Sequence, residues 1–542
     1  MLPGQMMNQP LTITSIMRFA EQVYGGGEIV SITADNPRHR YTYTDAFRRA
    51  RLLANALKAA GVQQGDRVAT LAWNDYRHFE LYYAVPCSGA VCHTINPRLF
   101  PEQVEYIIKH ADDKLIFVDP AFLPLLEALE HKLSSIQQVI VLTDACHMPQ
   151  TPLKNVRDYE SFIAHHSDSF NWPELDENTA SSLCYTSGTT GHPKGVLYSH
   201  RSCVLHSYAA VMPDAMNISC HDVLMPIVPM FHVNAWSTPF ATAMVGAKLV
   251  LPGSKMGDGE ALQSLIELEK ITISAGVPTV WLALLSYLRD SGKTIDSLQR
   301  VLVGGAACPL SIMEEFEHKH GVYTHHAWGM TETGPMGTFN SLKPGMDKLA
   351  KEQLDKIKLK QGRPVYGVDL RIVDEDGNTQ PWDGESKGEV RIKGNWVCSA
   401  YYRHEGEASH DGDGYFRTGD VASMDPLGYL LITDRSKDVI KSGGEWISSI
   451  DLENAAVSHP AVAEAAVIGV PHPKWSERPL LIVVKAPETD LSKEEILAFL
   501  DGKVAKWWIP EDAVFVDAIP HTATGKISKK DLRIKFADYS SA

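Results

Sequence analysis

Residues 185–195 read Tyr-Thr-Ser-Gly-Thr-Thr-Gly-His-Pro-Lys-Gly, a short run crowded with hydroxyls, glycines and one lysine. Glycines such as Gly188 and Gly191 let the backbone turn its N–H groups toward an anion and take positive φ without steric cost. The hydroxyls of Thr186, Ser187, Thr189 and Thr190 add short donors, and Lys194 adds a mobile point charge suited to a polyphosphate. The stretch reads as a phosphate-gripping loop, with a plain surface turn as the alternative that composition leaves open. It is not the common P-loop, because Gly-x-x-x-x-Gly-Lys-[Ser/Thr] finds no match, which disfavours a kinase or GTPase of that class.

Four further constellations follow the loop. They are Tyr323-Thr-His-His-Ala-Trp-Gly-Met-Thr-Glu-Thr333, Tyr415-Phe-Arg-Thr-Gly-Asp420, Asp434-Arg-Ser-Lys-Asp-Val-Ile-Lys-Ser-Gly-Gly-Glu445 and Pro520-His-Thr-Ala-Thr-Gly-Lys-Ile527. Each alone is a weak signal; all five in this order are specific. With them the chain resembles the adenylate-forming superfamily of acyl-CoA synthetases, peptide-synthetase adenylation domains and beetle luciferases. In texture it is similar to medium- and long-chain fatty-acyl-CoA ligases and to 3-methylmercaptopropionate–CoA ligases.

The resemblance covers essentially the whole chain and implies an α/β fold. It predicts a large N-terminal portion, residues 1–433, of two α/β subdomains plus a distorted β-barrel. A small α+β lid, residues 434–542, would be hinged to it at Asp434. The implied activity is an ATP-dependent acid–thiol ligase using Mg2+ and coenzyme A. A carboxylate resists nucleophiles because it is anionic and its leaving group would be oxide. Attack on the α-phosphate of ATP makes an acyl-adenylate and releases pyrophosphate, and a thiol then displaces AMP. Joining a carboxylate to a triphosphate brings like charges together, so cations and oriented donors must neutralise them.

The same resemblance distributes roles. Thr186, Ser187, Gly188, Thr189, Thr190, Gly191 and Lys194 would hold the β- and γ-phosphates. Thr331 would donate to the α-phosphate, and Glu332, with Thr186 as a second candidate, would bind Mg2+ through hard oxygen. Gly305, Ala306, Ala307, His326, Ala327, Trp328, Gly329 and Met330 would surround the adenine, with Trp328 offering a stacking face and His326 replacing a commoner glutamine. Asp420 would accept the ribose hydroxyls and Arg435 assist there. Lys526 would bridge carboxylate and α-phosphate in the transition state. Lys441, Ser442, Gly443, Gly444 and Glu445 would face CoA once the lid has turned about Asp434.

For the acid, Pro229-Met-Phe-His-Val-Asn-Ala-Trp236 is informative. Amino-acid-activating relatives place an aspartate where this chain has His232, which argues against an amino-acid substrate. His232, Val233, Trp236, Gly305 and Gly329 are the substrate-side candidates, Trp236 as a gate to an acyl tunnel, with Val211 as a further apolar neighbour. They imply a non-polar tail, a fatty acid or 3-methylmercaptopropionate. The competing readings are an adenylating enzyme that serves a carrier protein and a nucleotide-binding regulator without catalysis.

The elements that must position these residues are legible in outline. At 542 residues, with 44% hydrophobic and 22% charged residues, the chain exceeds one core and reads as an ordinary globular protein of at least two domains. A net charge of −15 argues against a nucleic-acid partner. Eight cysteines show neither CxxC pairing nor zinc spacing and suit reduced thiols. No signal peptide and no membrane-length apolar run is apparent, so a cytoplasmic enzyme is expected; the resemblance allows a homodimer.

Helix and strand patterns alternate from residue 40: a helix over 44–60 capped by Thr44, strands at 67–72, 90–95, 114–118 and 138–142, and helices at 79–85, 101–110 and 121–133. Strands recur at 180–184, 223–227, 248–251, 273–277 and 300–303. Such alternation implies parallel sheets covered by helices. Short alternating runs at 370–373 and 388–394 predict a small antiparallel unit. The last hundred residues predict helices at 450–458 and 493–504 around strands at 463–469 and 480–484.

Overall fold

The structure, a computed structural model, describes the chain apart from residues 187–191, 405–408, 436, 443–444, 523–525, 538 and 540–542, and apart from the side chains of residues 404, 445 and 446. Among the described residues the strands form four sheets. In the first, six parallel strands run in the order Val156–Asp158, Gln138–Val141, Asp113–Val118, Arg67–Leu71, Val91–Thr94 and Ala180–Tyr185. Gly195–Ser199 folds back antiparallel on the last of these. These strands are apolar on both faces, as parallel strands under helices must be.

The second sheet has nine strands. Its parallel centre runs Tyr323–Gly329, Arg300–Val303, Ile273–Gly276, Val223–Pro226, Lys248–Leu251 and Glu28–Ser31. Antiparallel strands close both edges: His39–Thr42 beside Glu28–Ser31, and Met336–Phe339 followed by Arg363–Pro364 at the other end. A third, four-stranded antiparallel sheet, Val368–Val373, Gly388–Gly394, Phe416–Met424 and Leu430–Arg435, is the distorted small unit, with register shifts in both of its later pairings. The fourth sheet is built on the long hairpin Val462–His472 and Ser476–Lys485, with Asp512–Phe515 added in parallel. Helices Ser449–Val457, Lys493–Phe499 and Lys529–Lys535 accompany it.

Several expected boundaries move, each for a local reason. The first long helix is Tyr43–Ala59, capped by Thr42 and not Thr44, because Thr42 and Asp45 form a reciprocal capping box. The helix expected over 121–133 is broken into a 3-10 turn, Leu123–Leu129 and a second 3-10 turn, its start set by Pro120 at the first position and by Asp119, whose side chain accepts the Ala121 N–H. The helix expected to reach 504 stops at Phe499 ahead of Gly502, which takes φ +76°. No helix among the described residues is long and apolar enough to cross a membrane.

Candidate active site

A cavity of about 360 Å³ opens where the carboxyl ends of parallel strands from both large sheets converge. Thr186 follows Ala180–Tyr185, Ile227 follows Val223–Pro226, Val277 follows Ile273–Gly276, and Gly304 follows Arg300–Val303; all line it. Crevices at the carboxyl ends of such strands are where open α/β sheets bind ligands.

One wall is polar. Thr186 and Lys194 line it and are tied together, the Thr186 N–H donating to the Lys194 carbonyl at 2.9 Å and the Lys194 N–H to Thr186 Oγ1 at 3.3 Å. Ser187, Gly188, Thr189, Thr190 and Gly191 lie outside the described residues. Ala327, Trp328, Gly329, Met330, Thr331 and Glu332 continue the wall. Gly329 admits no other residue, since a Cβ there would lie 1.6 Å from the Pro335 carbonyl oxygen. Tyr198 donates its hydroxyl to the Thr331 carbonyl at 2.5 Å, pinning the turn that carries Glu332.

Glu332 is 5% exposed and accepts the Tyr401 hydroxyl at 2.6 Å. Burial raises its proton affinity, while Tyr401 and the charge of Arg435 work the other way. The Lys194 ammonium sits 4.9 Å from the centre of the Tyr401 ring. Tyr401 thus bridges a carboxylate and a cation on the same wall, and sequence reasoning missed it. Its segment, Cys398-Ser-Ala-Tyr-Tyr402, has no glycine pattern or charge to draw attention. Arg98, Arg417 and Thr418 also line the cavity and were not anticipated.

Asp420 is buried one layer behind the wall. Its carboxylate accepts the Trp328 indole N–H at 2.8 Å and pairs with Arg435 at 3.1 Å. The neighbouring carboxylate of Asp420 holds the Arg435 guanidinium above its ordinary pKa against the cost of burial. Trp328 is therefore oriented by Asp420, its ring packed over Gly337, where a Cβ would approach Cζ3 to 2.5 Å. The His326 ring is buried just behind the wall, with Nδ1 at 3.0 Å from the Leu359 carbonyl and a further hydrogen bond to the Ala306 backbone. Alternation along Tyr323–Gly329 puts it on the same face as Trp328. Ala306 and Ala307 likewise lie off the wall, while Gly305 lines it at φ +82°.

Lys526 enters this cavity from the C-terminal segment. Its Cε would stand 4.0 Å from a Cβ built at Gly305. The loop that delivers it is closed on itself, Thr522 N–H to the Lys526 carbonyl at 2.6 Å and Lys526 N–H to Thr522 Oγ1 at 3.2 Å. Burial and then the positive charge of Arg435 lower its pKa to about 8, against the pull of Asp420 and Glu332. His232 lies across from it; burial and then the Lys526 charge lower that imidazole to about 4, so it is neutral at pH 7.

The other wall is apolar. Val228, Phe231, Val233, Val280, Leu302 and Phe339 line it, with thioethers from Met216, Met256 and Met336 between them. Val211 does not: it closes helix His200–Val211 and packs into the main core instead. The Trp236 ring packs against Gly304, where a Cβ would come within 2.9 Å of Cη2. It belongs to a turn in which Val233, Asn234, Ala235, Trp236 and Ser237 all take left-handed φ between +47° and +59°. Left-handed backbone costs a non-glycine residue roughly 1–2 kcal/mol, so this turn is held by its surroundings.

Two expected groups stand outside the cavity. Asp434 is 1% exposed, one carboxylate oxygen accepting the Ser449 N–H at 2.8 Å and hydroxyl at 2.5 Å, the other the Arg435 N–H at 2.8 Å. It thereby caps helix Ser449–Val457. Lys441 is exposed and pairs with Glu375 at 3.3 Å, and Ser442 is buried beside Arg478; Gly443, Gly444 and the Glu445 side chain lie outside the described residues.

Comparison with known proteins shows the family. The AMP-binding enzyme family model matches residues 19–402, and the AMP-binding enzyme C-terminal domain model matches 451–526. A 3-methylmercaptopropionyl-CoA ligase from Ruegeria lacuscaerulensis is 51% identical over 535 residues, 99% of each chain. A medium-chain-fatty-acid–CoA ligase from Ectopseudomonas oleovorans is 48% identical over 99% of this chain and 98% of its own. Among solved structures, the anthranilate CoA ligase AuaEII in complex with anthranoyl-AMP superposes with a TM-score of 0.86 at 25% identity, covering 97% of this chain and 98% of that one. The chain belongs to the AMP-binding enzyme family, within its ATP-, Mg2+- and CoA-dependent acyl-CoA synthetases.

Proposed function

We propose that this enzyme activates a small or medium-length non-polar carboxylic acid, of the 3-methylmercaptopropionate or fatty-acid kind, as its acyl-adenylate and then passes the acyl group to CoA. The observation that carries the reading is Lys526 standing beside Gly305, across from His232 and between the polar and apolar walls of one cavity. A lysine there can touch the acid's carboxylate and the α-phosphate together, stabilising charge that develops between them. Thr186 and Lys194, with the glycine loop between them, grip the part of ATP that leaves as pyrophosphate. Thr331 donates to the α-phosphate. Trp328, set by Asp420, lies beside the adenine, while Asp420 and Arg435 act together at the ribose.

The donor set fits a magnesium ion. Glu332 is a buried hard-oxygen ligand with one oxygen oriented by Tyr401, and Lys194 supplies positive charge nearby. When bound, Mg2+ neutralises the phosphate oxygens so that a carboxylate can approach. His232, uncharged at neutral pH, leaves Lys526 as the cation that meets the acid.

The second half-reaction needs another arrangement of the same parts. We take residues 434–542 as a lid that turns on Asp434, withdrawing Lys526 and presenting the 441–445 segment to CoA, with Lys441 steering its phosphates. Asp434 favours this reading because its carboxylate grips the first turn of Ser449–Val457, tying the pivot to the moving side. A cytoplasmic location agrees with eight free cysteines, and the resemblance adds a homodimer formed through the N-terminal portion.

The apolar wall favours the acid class. Three thioethers among aliphatic and aromatic groups make a soft, adaptable lining, suited to a methylthio or short alkyl tail. The test is pyrophosphate release over straight-chain acids of increasing length and 3-methylmercaptopropionate, with and without CoA. Turnover of these acids with CoA-dependent thioester formation is expected. Adenylate that never yields thioester with CoA would move the enzyme to a carrier-protein acceptor.

A further inference from the structure

The left-handed turn over 233–237 contains no glycine, yet five successive residues hold positive φ. Residues on either side of it line the cavity, His232 just before it and Trp236 within it. At its centre Asn234 points away from the cavity and is 2% exposed. Its amide is completely engaged. Nδ2 donates to Ser182 Oγ at 2.9 Å and reaches Cys203 Sγ at 3.9 Å, while Oδ1 accepts from Cys184 Sγ at 3.8 Å.

Ser182 and Cys184 are two apart on strand Ala180–Tyr185 and so present the same face to Asn234. That strand runs directly into Thr186, which lines the polar wall and is tied to Lys194. One strand therefore carries the start of the phosphate-side segment at its end and clamps the acid-side turn along its flank. A turn clamped in this way would follow small movements of the strand and carry them to His232 and Trp236.

We propose that Asn234 is a positioning residue that locks the strained turn onto strand Ala180–Tyr185 and so couples binding of the acid to binding of the nucleotide. This rests on the reading of the cavity as an acid-adenylating site. The amide has two separable contributions. Asparagine tolerates left-handed backbone better than most residues, and its side chain supplies the clamp. Glycine at 234 keeps the first property and removes the second.

The decisive experiment measures acid-dependent pyrophosphate release with octanoate and with 3-methylmercaptopropionate, at several ATP concentrations, for the unaltered enzyme, Asn234→Gly and Ser182→Ala. In the unaltered enzyme the acid KM is expected to fall as ATP rises. In Asn234→Gly the acid KM is expected to rise about tenfold, the scale of one lost buried hydrogen bond, and to lose its dependence on ATP. Ser182→Ala should move the acid KM in the same direction by less, and it decides the matter alone if Asn234→Gly does not fold. An unaltered acid KM and ATP dependence in folded variants overturns the proposal, as does an acid KM independent of ATP in the unaltered enzyme. If the unaltered enzyme releases no pyrophosphate with any acid, it is the adenylation reading that fails.

Discussion

Two buried clusters of charge sit in this chain, and they are built on opposite rules. In the first, between the Tyr43–Ala59 and Tyr76–Cys87 helices, Arg49 binds Glu80 at 2.7 Å and Glu160 at 3.0 Å, and Arg77 binds Asp35 at 2.7 Å and Glu160 at 2.9 Å. Burial opposes the charge on Arg77, but Asp35, Tyr76, Glu160 and Asp75 together outweigh it and hold its pKa above the ordinary value. Burial opposes the charge of Glu160 too, and Arg49 and Arg77 together outweigh it, holding Glu160 below the carboxylate range. In the second, around Lys526, the balance runs the other way: burial and Arg435 win over Asp420 and Glu332, and the lysine is held to its proton weakly. The lesson is that buried charge alone marks nothing. Glu80 in the first cluster is itself held above the carboxylate range by burial despite Arg49 and Tyr159, so what sets Lys526 apart is an unfavourable balance at a group that also lines the cavity, where a ligand can supply the missing partner.

The comparison breaks first at Arg77. Arg77→Ala takes from Asp35 its arginine and leaves Glu160 only Arg49 and the Tyr76 hydroxyl, so a loss of roughly 3–5 kcal/mol is expected, read as a fall in Tm. Pyrophosphate release per folded molecule should stay near that of the unaltered enzyme. A Tm that does not move would deny the cluster its structural part.

Lys526 is the mirror image. Lys526→Ala should slow adenylation by about 10²–10³-fold and leave thioester formation from supplied acyl-adenylate largely intact; equal loss in both steps would remove the lid reading. With a pKa near 8 in the fold, below the ordinary 10.5, the lysine is charged below pH 8, so adenylation declines as pH rises through about 8. The stability effect has the opposite sense. Between about pH 8 and 10.5 the unfolded chain binds the extra proton, so the lysine's desolvation cost is largest below 8 and fades as pH rises. Lys526→Met is accordingly expected to raise Tm at pH 7 and to lose that advantage above pH 10.

Smaller effects sharpen the contrast. Tyr401→Phe removes a hydrogen bond to a carboxylate and should cost roughly tenfold in adenylation, with a higher Mg2+ requirement and little change in Tm. Lys441 and Glu375 are 57% and 77% exposed, so Lys441→Ala should leave Tm where it is and raise only the CoA concentration needed for thioester formation. A CoA response identical to that of the unaltered enzyme would remove Lys441 from the CoA path.

Much of this was legible in the residues. The glycine loop, Lys526 and the alternation that makes the parallel sheets all rest on local chemistry that the chain carries openly. What stayed hidden depended on distant partners. Tyr401 matters because Glu332 and Lys194 come to it, and nothing in its own neighbours announces that. His326 sits inside a recognisable motif, yet the Leu359 carbonyl and the Ala306 backbone, both distant in sequence, decide that its ring is held behind the wall. The turn at Asn234 lacks the glycine that normally flags left-handed backbone; only the buried contacts of its side chain explain why it forms. Thr42 takes the cap expected of Thr44 because Asp45, three residues on, completes the box.

The short strand Glu28–Ser31 has a consequence for how the chain is made. It pairs in parallel with Lys248–Leu251, so it leaves a ribosome some 220 residues ahead of the segment it belongs beside. At about 5–20 residues per second that is a delay of roughly 10–40 s. Throughout it Ile29 and Val30 have only the hairpin partner His39–Thr42, and their outer edge offers unpaired N–H and C=O groups to any neighbouring chain. Nascent fragments that end before residue 248 are thus the aggregation-prone stage in the life of this enzyme, and yield on expression should respond to translation speed and chaperone supply before it responds to changes in the finished fold.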